Sequence, residues 1–157
     1  MKISTRGRYA LRLMMDIAMN GQNEPVRIKD IARRQEISEK YLEQIVSVLS
    51  KAGFVKSIRG AQGGYLLTRA PESYSVGDIL RLTEGNMAPV ICLGQDSVSC
   101  DLAGRCVSRS VFSRIEDAVN EVIDHISLAD LLREEENLSL TAAPLPEDAH
   151  RRCQGAR

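Results

Sequence analysis

Apolar side chains recur at helical spacing along most of the chain, and the pattern predicts six helices and one β-hairpin. The first helix begins at Ser4 or Thr5, either of which can serve as its N-cap, and it ends at Asn20 and Gly21. Its apolar positions follow the i, i+3, i+4, i+7 spacing of one buried face. These positions are Ala10, Leu13, Met14, Ile17 and Ala18.

Two shorter helices are predicted next, over about residues 28–35 and 39–51, with a tight turn between them. Ser38 is a suitable N-cap for the second of these helices. That helix has an apolar stripe, whereas Lys40, Glu43 and Gln44 lie on its polar face. Two short helices joined by a few residues indicate a helix-turn-helix, whose second helix contacts the bases of DNA.

A short hairpin follows the helix-turn-helix, with strands predicted over residues 54–59 and 65–68. A hairpin in this place is the wing of a winged-helix domain. Arg59, Gly60 and Gln62 lie at its tip, and we expect a basic tip to enter a minor groove. The glycines alternatively suggest a phosphate-binding loop, but no Gly-Lys-Ser/Thr sequence and no helix follow them.

The second half of the chain contains three further predicted helices and one irregular stretch. Ser75 begins a short helix that ends at Gly85, residues 86–105 show no sustained period, and a long helix runs from about Cys106 to His125. Ser127 caps a final short helix. The apolar face of the long helix is wide, which favours packing against a second copy over packing within the chain alone.

The predicted fold class is therefore mainly α with a small β-hairpin wing: a winged helix-turn-helix plus a long dimerisation helix. The expected organisation has four parts. They are a DNA-binding domain over residues 1–85, a cysteine loop over 86–106, the dimerisation helix and short C-terminal helix over 106–136, and a flexible tail over 137–157.

Charge is divided unequally along the chain, although the formal net charge is zero. Residues 1–70 contain 13 Lys and Arg against 6 Asp and Glu, whereas residues 71–157 contain 8 against 15. A basic half indicates a polyanionic partner. Candidate phosphate contacts, which solvated surface charge would equally explain, are Arg6, Arg8, Arg33, Arg34 and Lys51.

Several classes of protein are excluded or disfavoured by the sequence. The N-terminus lacks the pattern of a signal peptide and no apolar stretch approaches a membrane span, so we expect a cytoplasmic protein with no membrane partner. With two histidines and no nucleophile–base constellation, an enzyme is not expected.

Three of the four cysteines cluster in the irregular stretch, at Cys92, Cys100 and Cys106. Zinc sites usually pair two cysteines two to four residues apart, and these gaps are longer. The spacing favours an iron–sulfur cluster and leaves open a thiol redox switch, zinc or a loop without metal. A small electron-transfer protein would also use such a cluster, but it would need no basic half. Cys153 is expected to be a bystander.

Three segments resemble the IscR-type regulators, a family of bacterial winged-helix repressors with IscR-like, NsrR-like and CymR-like branches. They are MKISTRGRYA at residues 1–10, SEKYLEQ at 38–44 and RGAQGGYLL at 59–67. The resemblance covers about residues 1–135. It implies a homodimer, a recognition helix in the major groove, a wing in the minor groove, and a three-cysteine loop that holds an iron–sulfur cluster in the first two branches.

The resemblance places the cluster ligands at Cys92, Cys100 and Cys106, with a [2Fe–2S] cluster expected in preference to [4Fe–4S]. It further implies control of iron–sulfur-cluster assembly genes. The alternatives are an NsrR-like repressor that senses nitric oxide or redox state, and a CymR-like regulator of cysteine metabolism that acts through a protein partner.

Two departures from the family pattern concern the cluster. The first gap is two residues longer than expected, and Arg109 stands where IscR-like proteins have a histidine. Arginine stays protonated and is a very poor ligand. The NsrR-like pattern takes an acidic residue from the partner chain at the position of Arg8 here. The fourth ligand is thus unassigned, with Asp101, Ser108, Ser110 or a residue of the partner as candidates.

The expected mode of DNA binding follows from the side chains of the recognition helix. Gln44 can bond bidentately to adenine, Lys40 can reach a guanine edge or a phosphate, and Glu43 can accept from cytosine. A dimer would present two such helices to successive major grooves, so we expect a near-palindromic double-stranded operator.

Overall fold

Six helices and one hairpin form the protein in a computed structural model that describes residues 2–22, 24–60, 62–94 and 100–141. Single 3-10 turns occur at Pro71–Ser73 and Ile91–Leu93. The predicted fold class is confirmed. The elements are α1 (Thr5–Asn20), α2 (Ile28–Gln35), α3 (Glu39–Lys51), β1 (Val55–Ile58), β2 (Gly64–Leu67), α4 (Val76–Glu84), α5 (Val107–His125) and α6 (Leu128–Thr141).

Serine side chains begin four of these helices, as the sequence predicts, and one of them is Ser127, whose hydroxyl accepts from the Asp130 amide at 3.1 Å at the start of α6. The Ser4 hydroxyl accepts from the Arg6 amide at the start of α1, and the Ser38 hydroxyl accepts from the Tyr41 amide at the start of α3. Ser75 forms a full capping box at the start of α4. Such caps satisfy amides that have no partner within the helix, which explains why the predicted starts are accurate.

Helix α1 lies at the centre of the core and packs against α2, α3, α4, α6 and β2. Its stripe is buried except for Ala18, which is half-buried, and the core also contains Ile31 of α2, the apolar stripe of α3 and the ring of Tyr74. The largest side chains of this core are Tyr74, Leu13, Met14, Ile17, Ile31, Leu42, Ile45, Leu49, Ile79 and Leu128. Since α1 contacts both the recognition helix and α4, it connects the two halves of the chain.

The wing is an antiparallel pair in which Val55 lies opposite Leu67 and Ile58 opposite Gly64. A third short segment, which the sequence does not predict, pairs with it at Val26. The Val26 amide donates to the Tyr65 carbonyl at 3.0 Å, and the Tyr65 amide donates back at 2.8 Å. A side chain on Gly64 would lie 2.5 Å from the Val26 carbonyl oxygen, so this close pairing requires glycine.

The end of α6 differs from the prediction, because the helix continues to Thr141 beyond the expected boundary at residue 136. The sequence between them contains no glycine or proline that would stop a helix. The rest of the predicted tail, with Cys153, lies outside the described residues. Among the helices in the described ranges, none combines the length and apolar character needed to cross a membrane.

Candidate DNA-binding surface and cysteine loop

The recognition helix α3 buries its apolar stripe and exposes the side chains predicted to contact bases. Lys40, Glu43 and Gln44 are exposed, and their spacing places them on one face of the helix. The opposite face packs into the core through Leu42 and Ile45, both fully buried. Hydrophobic packing therefore fixes the direction in which the three polar side chains point.

Polar contacts between α1 and α2 hold the helix-turn-helix in place. The Arg12 guanidinium donates to the side-chain and backbone oxygens of Gln35, at 2.8 and 2.7 Å. Asp16 is almost completely buried and accepts two bonds from Arg34, at 2.5 and 3.0 Å, and one from Gln35 at 3.0 Å. This pairing raises the pKa of Arg34 above its ordinary value.

Arg34 is consequently a structural residue. The sequence suggested a phosphate contact or solvated charge, but the arginine is committed to Asp16 inside the fold. The Asp16 carboxylate is bidentate and engages the Nε and Nη2 donors, so this edge of the guanidinium is not available to a phosphate. The neighbouring Arg33 remains exposed and has only a loose ion pair with Asp30 at 3.3 Å. Such exposed pairs contribute little, so Arg33 can exchange this partner for another anion.

The wing tip carries the residues that the sequence placed there. Arg59 and Gly60 are exposed, and Gly60 has φ +119°, a conformation open to glycine. The Gly63 amide donates to the Gly60 carbonyl at 2.9 Å, which closes the turn. Gln62 is also exposed, and its side-chain oxygen accepts from Arg27 at 2.6 Å. Arg27 is a cation near the tip that the sequence analysis missed.

The remaining predicted phosphate contacts are spread over two helices. Arg6, which is half-buried, and the exposed Arg8 lie near the start of α1, and the exposed Lys51 is in the last turn of α3. The Arg8 guanidinium lies 6.0 Å from the centre of the Tyr9 ring, a contact that leaves its hydrogen-bond donors free for other groups.

The three clustered cysteines are free thiols on the segment between α4 and α5. Cys92 is half-buried within the 3-10 turn, Cys100 is exposed, and Cys106 is half-buried at the N-cap of α5. Within the described ranges, no three His, Cys, Asp or Glu side chains lie close enough together to hold a metal ion. Thiols are the ligand type of iron–sulfur clusters, but among residues 100–141 and the other described ranges the three cysteines are not gathered into one site and no fourth ligand lies with them.

The environment of Cys106 favours its thiolate. Its sulfur lies 3.1 Å from the Ser108 hydroxyl, and this contact, helped by the backbone amide of Arg109, lowers the pKa of the thiol. The thiolate is the form that binds metals and attacks disulfides. Beside it opens a cavity of about 540 Å³ whose lining includes the side chains of Arg105, Arg109 and Arg114. The local field is therefore positive.

The long helix α5 has one packed face and one exposed apolar face. Ile123 is buried against Val76 and Leu80 of α4. The exposed face is apolar over much of the helix, with Val107 80%, Val111 52%, Ile115 41% and Val122 58% exposed. An exposed apolar stripe of this extent indicates an interaction surface.

One polar contact that the sequence does not signal joins the two halves of the chain. The Glu84 carboxylate, at the end of α4, accepts hydrogen bonds from Ser4 and Gly7 at the start of α1. These residues are about 80 positions apart in sequence. No local pattern could have predicted the contact, because Glu84 belongs to a helix whose periodicity reports only its own buried face.

Comparison with known proteins agrees with this architecture. The profile of the Rrf2 family, described as iron-dependent transcriptional regulator, matches residues 3–134. The chain is 42% identical over 134 residues to protein rrf2 of Nitratidesulfovibrio vulgaris, covering 85% of this chain and 89% of that protein. It is 45% identical over 131 residues to CymR of Bacillus subtilis, covering 83% and 89%.

Two solved structures share the fold. The structure of CymR, the global cysteine regulator of B. subtilis, superposes with a TM-score of 0.73 at 42% identity, over 85% of this chain and 98% of that one. T. potens IscR gives a TM-score of 0.73 at 42% identity, over 92% of this chain and 94% of that one. The resemblance found in the sequence is confirmed, as is the expectation that the protein is not an enzyme. The chain belongs to the Rrf2 family of winged-helix transcriptional regulators.

Proposed function

We propose that this regulator is a homodimeric repressor whose affinity for DNA is set by an iron–sulfur cluster on the cysteine loop. The observation that carries the proposal is the position of the three free thiols. They lie on the segment that joins the winged-helix half to α5, so a change at the thiols acts on the link between DNA-binding and dimerising parts. Cluster assembly genes are the proposed targets.

Cys92, Cys100 and Cys106 would hold the cluster, which when bound supplies a group sensitive to oxidants and to iron supply. The Ser108 hydroxyl lowers the pKa of Cys106, which supports this role because a ligating thiol must be deprotonated. Ser108 is the neighbour best placed to stabilise that thiolate. A [2Fe–2S] cluster remains the preferred form.

The exposed face of α3 would lie in a major groove. Gln44 would bond bidentately to adenine and Lys40 to a guanine edge or phosphate, with Glu43 accepting from cytosine. Arg59, Gly60 and Gln62 would enter the adjacent minor groove. Arg6, Arg8, Arg33 and Lys51 would contact phosphates, which position the protein without selecting sequence.

Dimerisation would bury the exposed apolar face of α5 against its copy, giving a near-palindromic operator. Val111→Glu tests this arrangement by placing a charge in the interface. We expect the variant to sediment as a folded monomer, with Glu121→Gln on the same helix as the matched control. A variant that stays dimeric would contradict the assignment of this face.

The cluster is tested by anaerobic purification, a visible absorption spectrum, and iron and sulfide counts. We expect visible absorbance that Cys92→Ala, Cys100→Ala and Cys106→Ala together abolish while the dimer persists. Cys153→Ala is the matched control and should leave the spectrum unchanged. Protein that contains zinc or no metal after this preparation would refute the cluster.

DNA binding is tested by selecting sites from a random duplex pool and titrating the selected duplex. We expect Gln44→Ala to cost about 1–3 kcal/mol and to relax preference at one base of each half-site. Lys51→Ala should weaken binding to all sequences and reduce the salt slope by about one. Selection of a single half-site, or an affinity independent of salt, would contradict the proposed mode.

A second candidate function is that of a CymR-like regulator, which would sense its signal through a protein partner and not through a cluster. It is favoured by Arg109 in place of a ligand and by the 45% identity to CymR. In that case the metal-free protein would bind DNA with full affinity, and mutation of the three cysteines would change nothing.

A further inference from the structure

The last turn of α4 contacts three separate parts of the protein. Arg81 donates to both carboxylate oxygens of Asp124 in α5, at 2.6 and 2.8 Å, and to the side-chain oxygen of Asn120 at 2.8 Å. Glu84 reaches the start of α1, and the residues that follow it begin the cysteine loop. The turn is thus a junction between the dimerising helix, the DNA-binding half and the loop.

Glu84 is distant in sequence from α1, but its carboxylate accepts hydrogen bonds from the N-terminus of that helix. One oxygen of its carboxylate accepts from the Ser4 amide at 3.2 Å, the Ser4 hydroxyl at 2.7 Å and the Gly7 amide at 2.9 Å. The first amides of a helix have no partner within it, and a negative charge there is stabilised by the helix dipole. The Ser4 hydroxyl already caps the Arg6 amide, so Glu84 adds a second cap from another element.

The approach of α4 to α1 at this point is very close. A methyl group on Gly7 would lie 2.3 Å from the Glu84 carboxylate oxygen and 3.1 Å from a methyl of Leu80. Gly7 is buried at this contact, whereas Ser4 and Glu84 are half-buried. One oxygen of Glu84 accepts all three hydrogen bonds, so a displacement of this side chain weakens them together.

On its other side, Glu84 is followed by residues that pack against the turn holding Cys92. Gly85 has φ +74°, which reverses the chain directly after α4. The Asn86 side chain then lies against Gly94, since a methyl on Gly94 would be 2.0 Å from the Asn86 nitrogen. The Gly94 amide closes the turn around Cys92 by donating to the Ile91 carbonyl at 3.1 Å. Gly85 and Asn86 are thus the two residues that connect Glu84 to the turn around Cys92.

We propose that Glu84 is the positioning residue through which the state of the cysteine loop reaches the start of α1 and its arginines, Arg6 and Arg8. The inference rests on the proposed function, because it explains how that loop controls DNA affinity. When the turn around Cys92 is displaced, Asn86 and Gly85 move Glu84, and the Ser4 and Gly7 amides lose their acceptor. The first turn of α1 then frays and its two arginines no longer hold fixed positions.

The first test measures the helix start directly and needs neither DNA nor cluster. In a Cys153→Ala parent, iodoacetamide modifies only the three loop cysteines, and NMR follows amide hydrogen exchange at Gly7. We expect alkylation to speed this exchange about tenfold or more. In Glu84→Gln, the Gly7 amide should already exchange fast before alkylation, and its rate should change less than about twofold on alkylation. Unchanged exchange in the alkylated parent, or a full response in Glu84→Gln, would overturn the inference.

The control variant is Glu134→Gln, which removes an exposed carboxylate from α6 and should respond as the parent does. Asn86→Ala interrupts the path on the loop side and leaves Glu84 in place. It should also lose the response at Gly7, and combining it with Glu84→Gln should add nothing, because both act on one path. An additive double variant would place the two residues on separate paths and contradict the proposal.

The second test measures the ratio of DNA affinities before and after alkylation, on the duplex selected as above. This ratio, unlike affinity or stability, is insensitive to a purely structural role of Glu84. We expect a ratio of about five or more in the parent and in Glu134→Gln, and about one in Glu84→Gln. A parent whose Gly7 amide responds while its DNA affinity does not would refute the proposed function and leave the coupling standing.

Discussion

The hydroxyl of Tyr74 provides a sharp test of how the wing is anchored, because Tyr74→Phe removes a single buried oxygen. Tyr74 is fully buried, and its hydroxyl donates to the Phe54 carbonyl at 2.8 Å. It accepts from the Arg69 amide at 2.9 Å and the Thr68 amide at 3.2 Å. The oxygen therefore joins both ends of the hairpin to the core.

The loss in the free energy of unfolding depends on which hydrogen-bond partners of the Tyr74 hydroxyl have no other partner. The Thr68 amide also donates to the Phe54 carbonyl at 3.2 Å, so neither of these groups is left without a partner. The Arg69 amide has no such replacement among the described hydrogen bonds. One unsatisfied amide costs about 1–3 kcal/mol, and we expect a loss of about 2 kcal/mol in the free energy of unfolding. For a chain of 157 residues, Tm should fall by roughly 4–8 °C.

Urea unfolding followed by circular dichroism measures this loss, with the slope of the transition expected to stay constant. Tyr65→Phe is the matched control, because the Tyr65 hydroxyl makes no hydrogen bond with the residues that the structure describes, and it should change stability by less than about 0.5 kcal/mol. If Tyr74→Phe were equally mild, the hydrogen bonds of this hydroxyl would not anchor the wing to the core.

Three further substitutions probe the contacts between elements. Asp16→Asn breaks a buried ion pair and should cost about 3 kcal/mol in urea unfolding; a loss under about 1 kcal/mol would show that the arginine of α2 rehydrates freely. Gly7→Ala forces the Glu84 carboxylate to move and should lower stability by about 1–2 kcal/mol despite the better helix propensity of alanine, whereas a gain would mean that α4 yields. Ser108→Ala removes the main cause of the lowered pKa of Cys106, so the pH profile of its alkylation by iodoacetamide should move to higher pH, and an unchanged profile would exclude the hydroxyl as that cause.

The sequence by itself determined the helices, the wing and their order. Ser4, Ser38 and Ser75 mark helix starts, and Gly85 marks an end, because caps and periodic apolar positions act within a few residues of one another. The spacing of apolar positions in α3 likewise predicted which of its side chains are exposed. The end of α6 was less predictable, because no stop signal lies near residue 136.

Only the tertiary structure decided which polar side chains serve the fold and which remain free for a ligand. Arg33 and Arg34 are equivalent in sequence, yet Asp16 from α1 pairs with Arg34 alone. Val26 pairs with the wing because Tyr65 lies beside it, and Glu84 caps α1 because α4 packs against Gly7. Each of these contacts joins residues far apart in the chain. Their energy comes from pairing groups that folding removes from water, which no local pattern encodes.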